Sequence, residues 1–219
     1  MRLLIKFPTR NRPTKFLKTL DTYLRFLDDK KTPFIITCDN DDTSMKDDYV
    51  NDYLAMHDNI TVCFGDNVNK IAAVNADLQG IDFDIVLLAS DDMIPVVKGF
   101  DTIIKNKMAE FYPDTDGILF FNDGYQGDKL NTLCILGKKY YDRFGYIYYP
   151  DYKSGYCDDE FMQVGYKLKK QTYFDEVIIK HQHPVWGFGE QDIIHYMNSV
   201  NQQHDSTLFE QRKAINFEI

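Results

Sequence analysis

Two adjacent carboxylates close the stretch Asp84-Ile85-Val86-Leu87-Leu88-Ala89-Ser90-Asp91-Asp92-Met93-Ile94-Pro95. The apolar run before them has the length and composition of a strand buried on both faces, as in a parallel sheet. Open α/β sheets bind ligands in the crevice beyond the carboxyl ends of their strands. Acids delivered to that crevice suit a hard divalent cation, which takes oxygen ligands and shares them with a substrate phosphate. A solvated Asp-rich turn would carry the same two residues, so the pair gains meaning from what else the chain brings to the same rim.

Three further clusters have residue types that do chemistry. Asp39-Asn40-Asp41-Asp42 follows a second apolar run. A nucleoside diphosphate could enter so acidic a rim only with its charge neutralised, by a bridging Mg²⁺ or Mn²⁺ or by Arg10 and Arg12. The same arginines would equally serve solubility or an internal ion pair. Tyr156-Cys157-Asp158-Asp159-Glu160-Phe161 sets three acids at a helix start, where they act as cap and first-turn charges. A carboxylate near its reference pKa of about 3.9 is also ionised at neutral pH and can take the proton of an attacking hydroxyl. His181-Gln182-His183-Pro184 follows a strand-like run, and alternation along an extended segment points at most one of the two histidines into a given site. Such a histidine could close a site that already holds carboxylates. Zinc is disfavoured, because no cysteine or third histidine stands at suitable spacing.

The elements that must position these groups alternate strand and helix up to about residue 95. Strands are expected at 3–7, 34–38, 60–64 and 85–89, and helices from residue 13 or 14, near 45–56 and over about 68–78. That rhythm means βαβ units and a mainly parallel sheet with right-handed crossovers. After residue 95 it changes. Helices are expected near 98–111, 138–144 and 158–169, and strands at 117–121, 132–136 and 172–179. A Tyr-rich segment spans 146–156, and a polar helical tail follows His181. The expectation is one α/β domain over 1–219, a three-layer sandwich whose nucleotide-binding half covers 1–95 and whose acceptor-binding half covers 96–219.

The first βα turn, Pro8-Thr9-Arg10-Asn11-Arg12-Pro13, has neither the G-x-G-x-x-G of a dinucleotide fold nor the G-K-[ST] of a P-loop. Phosphates are therefore not cradled by a glycine-rich helix start. The net charge of −9, without a basic stripe, disfavours a nucleic-acid partner. The 15 Tyr and 16 Phe suit either a cleft that recognises rings or a bulky core. Cys38, Cys63, Cys134 and Cys157 are widely spaced, the first three in apolar runs, and read as reduced thiols of a cytoplasmic protein. No apolar run approaches the roughly 18 residues of a membrane span, and the first six residues look like a strand rather than a signal peptide.

In order and spacing the clusters resemble the GT-A-fold nucleotide-sugar glycosyltransferases, in particular the inverting glycosyltransferase family 2. Leu4-Ile5-Lys6-Phe7-Pro8-Thr9-Arg10-Asn11-Arg12-Pro13 is similar to that family's first strand and P-T-x-N-R loop, which touches the nucleotide. Asp39 matches the acid that hydrogen-bonds the base. Residues 65–75 resemble its Gly-x(n)-Ala-x-Asn helix start, with Lys70 as a diphosphate contact. Leu88-Ala89-Ser90-Asp91-Asp92 falls at the metal-binding D-x-D, Cys157-Asp158-Asp159-Glu160 at the E-D motif whose second acid is the catalytic base, and His183 at a late metal-site histidine. Three positions depart from the pattern: Ala89 replaces the first Asp of D-x-D, Val74 replaces the Arg of A-R-N, and Asp158 replaces the Glu before the base.

The resemblance implies a hexosyltransferase-type enzyme, dependent on Mn²⁺ or Mg²⁺, that moves a sugar with inversion from a UDP- or GDP-sugar to a glycan or glycoconjugate hydroxyl. Pro8, Thr9, Arg10, Arg12, Asp39, Lys70 and Ser90 would bind the donor. Asp91, Asp92 and His183 would hold the metal, and Asp159 or Asp158 would act as base. Two other readings use the same layout: a nucleotidyltransferase that makes a nucleotide-sugar, and a non-catalytic carbohydrate-binding relative.

Overall fold

Leu3–Pro8 (β1) is apolar at nearly every position and is an interior strand of a seven-stranded sheet, with its first five residues buried. The computed structural model describes residues 1–182, 187 and 200–219. Along the chain follow Pro13–Phe26 (α1), Phe34–Asp39 (β2), a 3-10 turn at Thr43–Lys46 and Asp48–Ala55 (α2). Ile60–Gly65 (β3), Lys70–Asn75 (α3), Ile85–Leu88 (β4) and Met93–Pro95 (β5) complete the first half. The second half contributes Phe100–Phe111 (α4), Ile118–Phe121 (β6), Ile135–Gly137 (β7), Lys138–Phe144 (α5), Cys157–Lys167 (α6), Gln171–Phe174 (β8), Ile179–His181 (β9) and Gln202–Ala214 (α7).

The main sheet runs β3-β2-β1-β4-β7-β6-β8. β3, β2, β1 and β4 are mutually parallel, β7 is antiparallel to both neighbours, and β6 pairs parallel with β8. The carboxyl ends of β1, β2 and β4 therefore open on one edge, which is where the acidic clusters lie.

Side-chain alternation divides the core into two layers, making a three-layer sandwich. Leu3, Ile5 and Phe7 of β1, with Ile85 and Leu87 of β4, pack against α1, α2 and α4. Leu4, Val86 and Leu88 face α3, α5, α6 and α7. Under the first layer Phe7, Phe16, Tyr23 and Phe100 meet edge to face at centroid separations of 5.0, 5.9 and 5.5 Å. Such pairs add about 0.5–1.5 kcal/mol beyond burial, and they anchor the first βα turn to the sheet.

Several expected elements are redrawn by packing. The strand expected at 172–179 is two short strands in different sheets: β8 joins the main sheet, whereas β9 pairs antiparallel with β5. β5, at Met93–Pro95, lies where no strand is expected. The expected helix at 68–78 is only Lys70–Asn75, begun by Asn69, whose side chain accepts from the amide of Ala72. The cysteines are free, with Cys38, Cys134 and Cys157 buried and Cys63 half-buried. Among the described residues no helix is long and apolar enough to cross a membrane.

Candidate functional site

A cleft of about 620 Å³ opens at the carboxyl ends of β1, β2 and β4. Its lining includes Pro8, Thr9, Arg10 and Arg12 from the first turn, Asp39 from β2, Lys70 from α3 and Ser90, Asp91 and Asp92 after β4. From the second half come Tyr148, Lys153, Ser154, Gly155, Asp158 and His181. Every donor-binding candidate named from the sequence thus lines one cavity. Asp158 lines it as well, and Asp159 does not. His183 lies outside the described residues.

The first turn is shaped by Asp42. Its carboxylate accepts the amide of Asn11 at 2.6 Å and caps the 3-10 turn through Ser44 and Met45. Asn11 takes the left-handed conformation there (φ 55°), which Asn tolerates better than most residues. Arg10 then turns back onto β2, donating to both oxygens of Asp41 at 2.7 and 2.8 Å and also to Asp39. The other Asp39 oxygen accepts from Asn67 at 2.8 Å. The hydrogen bonds that Arg10 donates to Asp41 and Asp39 raise its pKa further above its already high value, so this guanidinium is a permanent counter-ion of the rim.

Asp91 and Asp92 are 6% and 8% exposed. One face of α1 serves Asp91: Arg12 and Lys15 each approach Oδ1 at 3.1 Å, and Thr19 Oγ1 donates to the main-chain carbonyl at 2.8 Å. The spacing 12, 15, 19 is that of one helical face, a signal present in the sequence but not used. Asp92 accepts from Ser90 and lies 3.6 Å from Nε2 of His181, whose Nδ1 is 3.7 Å from Asp123. Burial pulls the His181 pKa down, but hydrogen bonds and charge from Asp123 and Asp92 outweigh it and hold it at about 9. Burial would raise the Asp92 pKa; His181 and Ser90 prevail and push it well below the carboxylate range. Among the described residues the histidine that lines the cleft is His181, brought there by the pairing of β9 with β5.

In chemical type, carboxylate oxygens suit a hard divalent ion. The two neighbouring carboxylates offer oxygen ligands in a partly closed cleft, the kind of site that a substrate phosphate completes. Both are neutralised here by protein cations. Among the described residues no group of three or more His, Cys, Asp or Glu is placed to hold an ion, so the pair would depend on ligand oxygens. Ala89 is fully buried in the core layer beneath α1, where a carboxylate would have to be desolvated. Val74 is likewise a core residue, at 1% exposure.

The opposite wall is built from segment 146–158. Asn75, the last residue of α3, bonds this segment three times: its Oδ1 accepts the amides of Ile147 and Tyr148 at 2.9 and 3.1 Å, and its Nδ2 donates to Tyr148 O at 2.7 Å. Tyr156 precedes α6 in the left-handed region (φ 58°), a conformation that costs a bulky residue on the order of 1–3 kcal/mol. It turns the chain so that Asp158 opens on the cleft. Asp159, half-buried beside Asp158, has its pKa pushed up to about 6 by burial and then by its neighbour's charge. Behind α6, Glu160 accepts from Tyr152 at 2.8 Å and from Arg212 of α7 at 2.9 Å.

No family model matches the chain, and no curated protein matches it. Solved structures do. The mannosyltransferase PcManGT from Pyrobaculum calidifontis, in complex with GDP-Man and Mn²⁺, is similar at 15% identity and a TM-score of 0.68, over 85% of this chain and 58% of that one. S. aureus TarS residues 1–349 with UDP-GlcNAc matches at 15% identity and 0.67, over 89% and 60%. TarS 1–349 alone matches at 15% and 0.64, over 84% and 61%. The chain has the GT-A glycosyltransferase fold. It spans about three-fifths of the length of these structures. At this identity the likeness is one of fold.

Proposed function

We propose that this GT-A domain is a nucleotide-sugar glycosyltransferase that transfers a hexosyl group from a UDP- or GDP-sugar to an acceptor hydroxyl, with inversion. The observation that carries the reading is one cleft, at the carboxyl edge of the parallel strands, joining Asp39, the Asp91-Asp92 pair and Asp158. Solved structures of the same fold hold GDP-Man with Mn²⁺ and UDP-GlcNAc, which supports a nucleoside-diphosphate donor.

In this reading Pro8, Thr9 and Asp39 receive the nucleoside. Asp39 is held by Arg10 and Asn67, and each of its oxygens keeps a lone pair for a base N–H. Arg12 and Lys15, now on Asp91, stand close enough to the pair to share their charge with an entering diphosphate. Asp91 and Asp92 would hold Mn²⁺ or Mg²⁺, which when bound supplies Lewis-acid stabilisation of the leaving phosphate. Ser90 and His181 orient Asp92. Asp158 takes the acceptor proton as the hydroxyl oxygen attacks the anomeric carbon from the face opposite the leaving group. Its place in the cleft lining favours it over Asp159, which is outside that lining.

The decisive experiment incubates the chain with UDP- and GDP-sugars, and in parallel with a sugar phosphate and a nucleoside triphosphate, each with Mn²⁺ and with EDTA, and identifies the product. Release of UDP or GDP supports transfer, and release of pyrophosphate from a sugar phosphate and nucleoside triphosphate would mark a nucleotidyltransferase. Nucleotide binding without turnover of any donor would leave only a binding function.

A further inference from the structure

We propose that Lys153 is an anion-binding residue of the cleft, engaging the diphosphate of the donor, and that Asp205 of α7 is the positioning residue that holds it there. The inference deepens the nucleotide-sugar reading and rests on it. Its starting point is how the charges lining the cleft are distributed. Arg10 is engaged by Asp39 and Asp41, Arg12 and Lys15 by Asp91, and His181 by Asp92 and Asp123. Lys153 and Lys70 line the same cleft, and among the described residues neither ammonium has a carboxylate within ion-pair distance. Lys70 is exposed at the rim, whereas Lys153 is half-buried.

The main chain of Lys153 is fixed from far away in sequence. Asp205 is fully buried, and its carboxylate accepts three consecutive amides: Lys153 at 3.0 Å, Ser154 at 2.9 Å and Gly155 at 2.8 Å. Burial alone would raise its pKa, yet the bonds from His204 and these amides hold it below the ordinary carboxylate range. An ionised carboxylate saturating three successive N–H groups leaves the loop one conformation, and all three residues line the cleft. The same loop runs through Tyr156 directly into α6 and Asp158. A flexible lysine stem on so rigid a base loses less entropy on binding an anion than one on a mobile loop. Lys153 is half-buried and, among the described residues, unmatched by a carboxylate, so phosphate oxygens entering the cleft would give its ammonium a charge-assisted partner.

The test titrates the whole chain with UDP, GDP, uridine and guanosine by calorimetry, in the parent, Lys153→Met, Lys153→Arg and Asp205→Asn. Lys153→Met should weaken the preferred diphosphate about tenfold or more while nucleoside affinity stays within about twofold, the loss expected for one charged contact. Lys153→Arg should restore most of it. Asp205→Asn, with Lys153 intact, should lose part of the same diphosphate increment and show faster hydrogen exchange at amides 153–155. Unchanged diphosphate affinity in Lys153→Met, or equal losses for diphosphate and nucleoside, overturns the proposal and leaves the donor reading standing. A parent chain that binds neither UDP nor GDP overturns both.

Discussion

The two walls of the cleft are built on opposite plans. On the first wall, charged groups arrive at the ends of central strands and are already matched: Arg10 with Asp39 and Asp41, Arg12 and Lys15 with Asp91, His181 with Asp92. On the second, the chain is irregular and is held from behind, by Asn75 of α3 and Asp205 of α7, while the charges turned to the cleft, Lys153 and Asp158, have no ion-pair partner among the described residues. The difference teaches how one fold divides labour. A strand end is rigid by virtue of its ladder, so its side chains can be paired with one another and still present a fixed rim. A loop must have its backbone hydrogen bonds satisfied by distant side chains before its own side chains can be left open for a ligand.

The largest break in this contrast is expected at the open wall. Asp158→Asn should lower transfer about 10²- to 10⁴-fold, the usual worth of a general base, with nucleotide affinity nearly unchanged. Asp159→Asn should lose less than about tenfold; steady-state rates that fall equally in both variants would assign the base role to neither alone. Next comes the support behind that wall. Asn75→Ala removes three hydrogen bonds and strands main-chain groups at Ile147 and Tyr148, so urea denaturation should show a loss of roughly 2–3 kcal/mol. A loss below about 0.5 kcal/mol would mean that the loop stands without α3.

The matched wall should respond less. In Asp91→Asn the increment that Mn²⁺ adds to nucleotide affinity should shrink about tenfold, the binding constant without metal changing little. Titrations in Mn²⁺ and in EDTA that coincide for parent and variant alike would remove the metal from the mechanism. Smallest is an effect at the base of the wall. Lys6 is fully buried in β1, bonded to Thr37 and, at 2.7 Å, to the carbonyl of Ala76. Burial lowers its pKa to about 8 against the opposing charge of Asp77. The unfolded chain keeps that proton to about pH 10.4, so at Lys6 it binds more protons than the folded chain between pH 8 and 10, and this group's contribution to stability rises with pH. The gain should be on the order of 1 kcal/mol. Lys6→Met should lack it, as thermal melts across that pH range would report.

The strands that carry the matched wall were legible as apolar runs, because burial on both faces demands such runs whatever the tertiary context. So was the delivery of Asp39, Asp91 and Asp92 to one edge, since parallel strands must end on the same side. The open wall was legible only in part. Tyr146–Tyr156 read as a Tyr-rich segment, but nothing local announces that Asn75 and Asp205 hold it. The same holds for residues 172–179, which read as one strand and divide between two sheets, because a short apolar run does not state its partner.

By itself the sequence determined the α/β class, the order of the elements and the acidic groups that the strand ends must expose, since hydrophobic period and strand direction are local properties. Only the tertiary structure decided which of those groups meet and in what state. It set Arg12, Lys15 and Thr19 on Asp91, chose His181 for Asp92, turned Asp158 rather than Asp159 to the cleft, and tied the loop of Lys153 to α7. These are contacts between residues up to 89 positions apart (Asp92 to His181). Their energies depend on burial and distance, which no stretch of sequence contains.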